Sequence, residues 1–116
     1  MNTKKRGDRG EHLAAEFLGN AGFRILERNY RFGRAEIDIV AEEAGELVFV
    51  EVKARDSLRF GEPEESVGEV KEQRLRRAAE GYCMQRGMID HFYRFDIVAI
   101  RFEKGIVVVK HLRNAF

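Results

Sequence analysis

Apolar positions change their spacing along this chain, from a helical period to alternation and back. Leu13, Ala14, Phe17, Leu18 and Ala21 recur at helical spacing. Asp8-Arg9-Gly10-Glu11 has the form of a capping box, so a helix is predicted to begin near Arg9 and stop at Gly22. Residues 1–7 are basic and polar and are expected to be flexible. From Phe23 to Tyr30 the pattern alternates, with Phe23, Ile25 and Glu27 set against Arg24, Leu26 and Arg28, which predicts a strand. Arg31-Phe32-Gly33-Arg34 reads as a basic turn. Between Arg34 and Arg55, β-branched and aromatic residues flank Ala44-Gly45, which predicts two strands folded into a hairpin.

After Lys53 the periodicity fades, and Arg59-Phe60-Gly61-Glu62-Pro63 reads as a loop. Ser66-Val67-Gly68-Glu69 offers a second capping box before a helix running to about Gln85. Its stripe is Val67, Val70, Leu75, Ala78, Ala79 and Tyr82, and its polar side carries Lys71, Gln73, Arg74, Arg76 and Arg77. Phe92 to Phe102 alternates as a strand, Lys104-Gly105 turns the chain, and Ile106 to Leu112 forms the last strand. The order αβββαββ predicts an α/β fold, a mixed β-sheet flanked by α-helices.

The hairpin carries the candidate chemistry. A turn centred on Ala44-Gly45 sets Asp38 opposite Glu51 and Glu36 opposite Lys53, all on one face. The other face is Ile37, Ile39, Val48, Val50 and Val52, and the charged face becomes Val40, Phe49 and Leu47 toward the turn. Such a hairpin is expected at the centre of its sheet, covered on both sides. Two carboxylates about 5 Å apart there repel by about 3 kcal/mol at an effective dielectric near ~20. Lys53 offsets only part of that. A divalent cation between Asp38 and Glu51 would offset the rest, through the oxygen ligands that Mg²⁺ prefers. The plainer alternative is a solvated sheet end with a Glu36–Lys53 cross-strand pair. Glu11 projects on the flank of the first helical stripe and could reach an inward-facing site, whereas Glu16 points to solvent. Alternatively, Glu11 caps the backbone N–H of Asp8.

Composition narrows the field. A chain of 116 residues makes one domain, residues 1–116, and its net charge of +1 leaves nucleic-acid affinity to local patches. Arg24, Arg28, Arg31 and Arg34 could meet phosphates or protect a strand edge, and the basic side of the second helix could do the former or be solvated. The single cysteine, Cys83, excludes an internal disulfide and a multi-cysteine zinc site, is expected to serve packing, and fits a cytoplasmic location. Met-Asn-Thr-Lys-Lys-Arg is followed by no apolar run, so no signal peptide is expected, and no stretch is long enough to span a membrane. His12, His91 and His111 show no paired ligand spacing, and Walker, GxSxG and Cys–His arrangements are missing. Asp96 could add a carboxylate to the site, although an edge-strand position is the expectation.

Asp38 followed by Glu51-Val52-Lys53 resembles the PD-(D/E)XK nuclease signature. Glu11 on the preceding helix resembles the extra acidic residue of its Holliday junction resolvase-like branch. Nearly the whole chain resembles the YraN family of small bacterial proteins, through Gly10-Glu11, Glu36-Ile37-Asp38-Ile39-Val40, Phe49 to Arg55, Gln73 to Ala79, Arg94-Phe95-Asp96 and Asn114-Ala115-Phe116. Ala35 stands where that family usually has glycine, and no proline precedes Asp38. The resemblance implies a restriction endonuclease-like core and Mg²⁺- or Mn²⁺-dependent phosphodiester hydrolysis. It assigns the metal to Asp38, Glu51 and the backbone carbonyl of Val52, with Glu11 holding a second ion directly or through water. Lys53 would position the attacking water or stabilise the pentavalent charge. Lys71 or Gln73 would contact the attacked phosphate, with Arg34, Arg55 and Arg74 as further nucleic-acid contacts. The implied partner is nucleic acid, DNA of branched or flapped form, met by a homodimer or with a partner protein. The alternative is a catalytically silent nucleic-acid-binding or scaffolding module that keeps the fold.

Overall fold

Ala44 and Gly45 both take the left-handed backbone, with φ of 51° and 82°, which is the geometry of a tight two-residue hairpin turn. They join β2 (Ala35–Glu43) to β3 (Glu46–Asp56) in the register Glu43↔Glu46, Ala41↔Val48 and Ile39↔Val50. Lys104 and Gly105 repeat the device, with φ of 33° and 81°, between β4 (Tyr93–Glu103) and β5 (Ile106–Leu112). In this computed structural model residues 3–56, 67–88 and 90–116 are described.

Helix α1 (Thr3–Asn20) leads through Gly22, at φ 97°, into β1 (Arg24–Phe32), and α2 (Glu69–Gln85) lies between β3 and β4. The five strands form one sheet in the order β1-β2-β3-β4-β5, antiparallel except for the parallel β3–β4 pair. A parallel pair requires a crossover, and α2 provides it. The αβββαββ order and mixed sheet are those expected of a restriction endonuclease-like core. Among the described residues no helix is long and apolar enough to cross a membrane.

Each face of the sheet carries its own core. Ala14 and Leu18 of α1 pack on Ile39, Ala41, Val48, Val50, Val98 and Ile100. Leu75, Ala78, Ala79 and Tyr82 of α2 pack on Val40, Leu47, Phe49 and Phe95. Each valine, leucine, isoleucine or phenylalanine among them, once buried, contributes about 1.5–3 kcal/mol. The rings of Tyr82, Tyr93 and Phe95 surround Phe49 with centroids at 5.7, 5.5 and 5.7 Å. Phe116 stacks on Phe95 at 4.8 Å, and Ala115 N–H donates to the Phe95 carbonyl at 2.7 Å, so the last residues close the α2 side.

Several boundaries differ from the sequence reading. Helix α1 is already formed at Thr3, so Asp8 and Glu11 lie within it and the capping box is not its start. The second capping box also fails: Gly68 is the N-cap of α2 and makes no side-chain cap bond, while Ser66 lies outside the described residues, as does the Arg59–Pro63 loop. Val70 is exposed, because at about 100° per residue it lies roughly 140° round the helix from Leu75, and Phe92 is exposed just before β4. Strand β1 continues through Phe32, which shortens the basic turn to Gly33-Arg34, and β3 continues to Asp56. Cys83 is buried, as packing demands.

Gly10 sets how closely α1 lies on β3. A Cβ there would stand 2.7 Å from the Cβ of Ala54, with no flexible group to give way. Gly10→Ala should therefore cost about 1–3 kcal/mol by overpacking. Gly19→Ala on the same helix meets open space and should be neutral or slightly stabilising. Urea unfolding of the two variants checks this, and equal midpoints would refute the close-approach role.

Candidate metal centre

Strands β2 and β3 are paired in register from the turn as far as Ile39↔Val50, where their ladder ends. Beyond it, the N–H of Val52 donates to Asp38 Oδ2 at 2.8 Å. A carboxylate thus satisfies a donor that a ladder carbonyl would otherwise take. The bend has a visible origin. Asn29 of β1 lies between the pairs Arg28↔Ile39 and Tyr30↔Ile37, across from Asp38, and has φ of 54°. A left-handed residue inside a strand bends and twists it. Ile37 consequently joins the α2-side core while Ile39 joins the α1-side core. The expectation that both share a face with Val48 and Val50 fails at this point.

The splayed end collects the acids. Glu11 from α1 and Glu36 and Asp38 from β2 offer oxygens that all lie within 4.8 Å of one another. Asp38 also shares a hydrogen bond with Glu51, whose side chain is only 5% exposed. Lys53, two residues along β3, is 9% exposed. Cations stand by Glu51 (Lys71), by Glu36 (Arg31, at 2.9 Å) and by Glu11 (Arg28, at 3.8 Å). Asp38 responds differently. Burial, then the Glu51 charge and the hydrogen bond with Glu51, push its pKa from 3.8 up to about 8, against the lowering effect of the Val52 N–H. The pKa of Glu11 is raised too, by burial first and by Glu36 and Asp8, with Arg28 and a hydrogen bond to Asn29 opposing.

A groove of about 440 Å³ opens onto this cluster, bounded by Arg34, Glu36, Asp38, Glu51, Val52, Lys71, Arg74 and Leu75. The candidate residues Asp38, Glu51, Val52, Lys71, Arg34 and Arg74 therefore converge on one groove, with Glu11 adjoining it through Asp38. Lys53, Gln73 and Arg55 are not part of its lining; Arg55 instead donates to the carbonyl of Ala54 at 3.1 Å. Asp38 and Glu51 meet through their side chains and not as ladder partners, because the strands part before reaching them. Glu36 belongs to the acidic cluster, beyond the role of a partner for Lys53. Its shared parity with Asp38 on β2 is the sequence signal that marks it.

Asp96 is not on an edge strand. It is fully buried on β4, between β3 and β5, and accepts from Arg94 at 2.9 and 3.2 Å, from the Asn114 N–H at 3.1 Å, and bonds His111 at 2.8 Å. Burial alone would raise its pKa, but His111, Arg94 and the Asn114 N–H together hold it below 3.8. Arg94 also reaches Glu43 and Glu46, at 2.9 and 2.8 Å, tying β4 to the hairpin turn.

These opposite shifts predict opposite pH responses. The folded chain keeps the Asp38 proton to about pH 8, whereas an unfolded aspartate releases it near 3.8. Folding takes up a proton across that window, so this contribution to stability is complete below it and is lost as the pH rises through it. Asp38→Asn should flatten that part of the curve of stability against pH, which thermal unfolding across the window would show; an unchanged slope refutes the shift. The Asp96 contribution is present above 3.8 and is lost as the pH falls. Asp96→Ala, which leaves Arg94 with Glu43 and Glu46 but takes the acceptor from His111 and the Asn114 N–H, should cost about 1–3 kcal/mol. Denaturant titration at neutral pH measures that cost, and a loss no greater than that of a surface substitution would refute it.

A family model described as Uncharacterised protein family UPF0102 matches residues 10–100. A UPF0102 protein of Desulforapulum autotrophicum is 48% identical over 116 residues, covering 99% of this chain and 96% of its own. A UPF0102 protein of Moorella thermoacetica is 46% identical over 115 residues, covering 95% and 96%. One of Caldicellulosiruptor saccharolyticus is 39% identical over 118 residues, covering the whole of both chains. Among solved structures, Pyrococcus furiosus SfsA in complex with Ca²⁺ is similar at a TM-score of 0.45 and 18% identity, over 97% of this chain and 64% of that one. The chain belongs to the Uncharacterised protein family UPF0102, the YraN family that its sequence resembles.

Proposed function

We propose that this chain is a metal-dependent nuclease that hydrolyses phosphodiester bonds, acting on branched or flapped DNA. The observation that carries the reading is the contact between Asp38 and Glu51 at the splayed end of β2 and β3, inside a groove that also presents Lys71, Arg34 and Arg74. Asp38, Glu51 and the backbone carbonyl of Val52 would hold Mg²⁺ or Mn²⁺, with Glu11 and Glu36 beside Asp38 as further oxygen donors. The donor set suits a hard cation, and crowding that forces a proton onto Asp38 is the strain such a cation relieves. When bound, it would polarise a phosphoryl oxygen and lower the pKa of a water.

The chain's own residues divide the remaining work. Lys53, with little exposure and two residues along β3 from Glu51, would bring an ammonium to where negative charge builds on the phosphoryl group; fixed charge in a site poor in water acts strongly. Arg34 and Arg74 would seat the flanking phosphates, since guanidinium groups match phosphate oxygens. A net charge of +1 gives little general attraction, so affinity would be confined to this groove. A silent binding module is the second reading, favoured by the ion pair that already neutralises Glu51.

Mg²⁺ or Mn²⁺ should raise the melting temperature of the wild type and leave Asp38→Asn unmoved. Incubation with flap, junction and single-stranded DNA should show cleavage by the wild type, reduced about 10²–10³-fold in Lys53→Ala. Binding without cleavage by the wild type would favour the silent module. A melting curve indifferent to metal would count against both the site and the enzyme.

A further inference from the structure

Glu51 has a counter-charge that can leave. Its side chain is 5% exposed, and a carboxylate with so little water is costly unless a cation faces it. The ammonium of Lys71 supplies that cation from α2, across the groove, while its own side chain is 56% exposed. The two halves of the pair are therefore unlike: an acid held within the sheet end, and a base on a long flexible stem at the rim. Of the other cations nearby, Lys53 comes from the same strand as Glu51, while Arg31 lies on Glu36 and Arg28 near Glu11.

We infer that Lys71 is a phosphate-binding residue held in reserve on Glu51, released to the nucleic-acid backbone when a divalent cation takes its place on that carboxylate. The inference rests on the metal-dependent reading of the same site and names what switches its affinity for substrate. An ammonium and a divalent cation compete for Glu51, so each is bound more weakly in the presence of the other. Once displaced, the ammonium stays in the groove it lines with Arg34 and Arg74, where a phosphate is its natural partner. Metal and nucleic acid thereby become coupled ligands, each strengthening the other through one lysine, and such coupling is reciprocal. A merely structural ion pair would behave otherwise: its loss would weaken the site toward both ligands or toward neither.

The test uses Lys71→Met, which keeps the length of the side chain and removes its charge, with Lys71→Gln as a second variant. Mg²⁺ binding is measured by isothermal titration calorimetry. Binding of a fluorescent DNA duplex with a single-stranded flap is measured by anisotropy, in a Lys53→Ala background that spares the probe. Lys71→Met should bind Mg²⁺ about fivefold more tightly than wild type, as expected when a competing ion pair is removed. Without metal it should bind the duplex as its parent does, because Lys71 is occupied by Glu51. With Mg²⁺ it should bind the duplex several-fold more weakly, and the salt dependence of log K should fall by about 0.9 relative to the parent. Unchanged or weaker Mg²⁺ binding in both variants would overturn the exchange, as would an equal loss of duplex affinity with and without metal. In either case Mg²⁺ binding by the wild type and its absence in Asp38→Asn would leave the nuclease reading standing. A wild type that binds neither Mg²⁺ nor the duplex removes that reading, and the exchange with it.

Discussion

Where β2 and β3 part, the backbone N–H of Val52 bonds a carboxylate instead of a carbonyl, and the rest of the site depends on that substitution. It places Asp38 at the mouth of the sheet without leaving a buried donor unsatisfied, which would cost about 1–3 kcal/mol. It also brings the Asp38 carboxyl to Glu51, on a strand with which Asp38 no longer pairs. Had the ladder continued, the two acids would have been ordinary cross-strand neighbours with a sheet closed between them. The left-handed Asn29 on β1 and the divergence of Ile37 and Ile39 to opposite cores belong to the same bend.

Holding like charges together requires stability from elsewhere, and here it comes from the turn-proximal half of the same strands. Ile39, Val40, Ala41, Leu47, Val48, Phe49 and Val50 are all buried, with α1 on one face and α2 on the other. The hairpin thus has an apolar, doubly covered half and an acidic, open half. The first anchors the strands rigidly enough that the second need not relax. Gly10 adds to this by letting α1 approach β3 closely, which carries Glu11, the next residue, to the acidic cluster.

Much of this was legible in the residue pattern, for local reasons. Ala44-Gly45 between alternating segments sets the β2–β3 register, and with it the end of the sheet where Asp38 meets Glu51. Helical geometry correctly turned Glu11 inward and Glu16 outward. What escaped the pattern was decided at long range. An asparagine in a strand does not announce a positive φ, so the bend at Asn29 and the fate of Ile37 were hidden. Asp96 looked like an edge residue because nothing local reveals that β4 lies parallel to β3, with β5 beyond it. The capping boxes misled because α1 continues upstream of Asp8, and tertiary contacts outweigh a local cap. The Lys71–Glu51 pair joins residues from different layers, and only the crossover brings them together.

The two aspartates show why one carboxylate of this sheet is read as chemistry and another, level with Val50, as structure. Asp96 has less exposure than Asp38, yet its pKa falls, because Arg94, His111 and the Asn114 N–H point donors at it from β4, β5 and the C-terminal segment. Every bond there favours the ionised form, and the group has nothing left to offer a ligand. Asp38 accepts from the Val52 N–H but is buried among acidic neighbours, so its pKa rises and the site retains a proton it would exchange for a better cation. Burial is the largest influence on both; the partners decide the sign. A carboxylate already satisfied by its own chain ties elements together, whereas one crowded by other carboxylates beside an open groove is poised to bind something positive. That difference in environment, rather than acidity as such, is the ground on which the proposed function assigns a metal to the splayed end of β2 and β3.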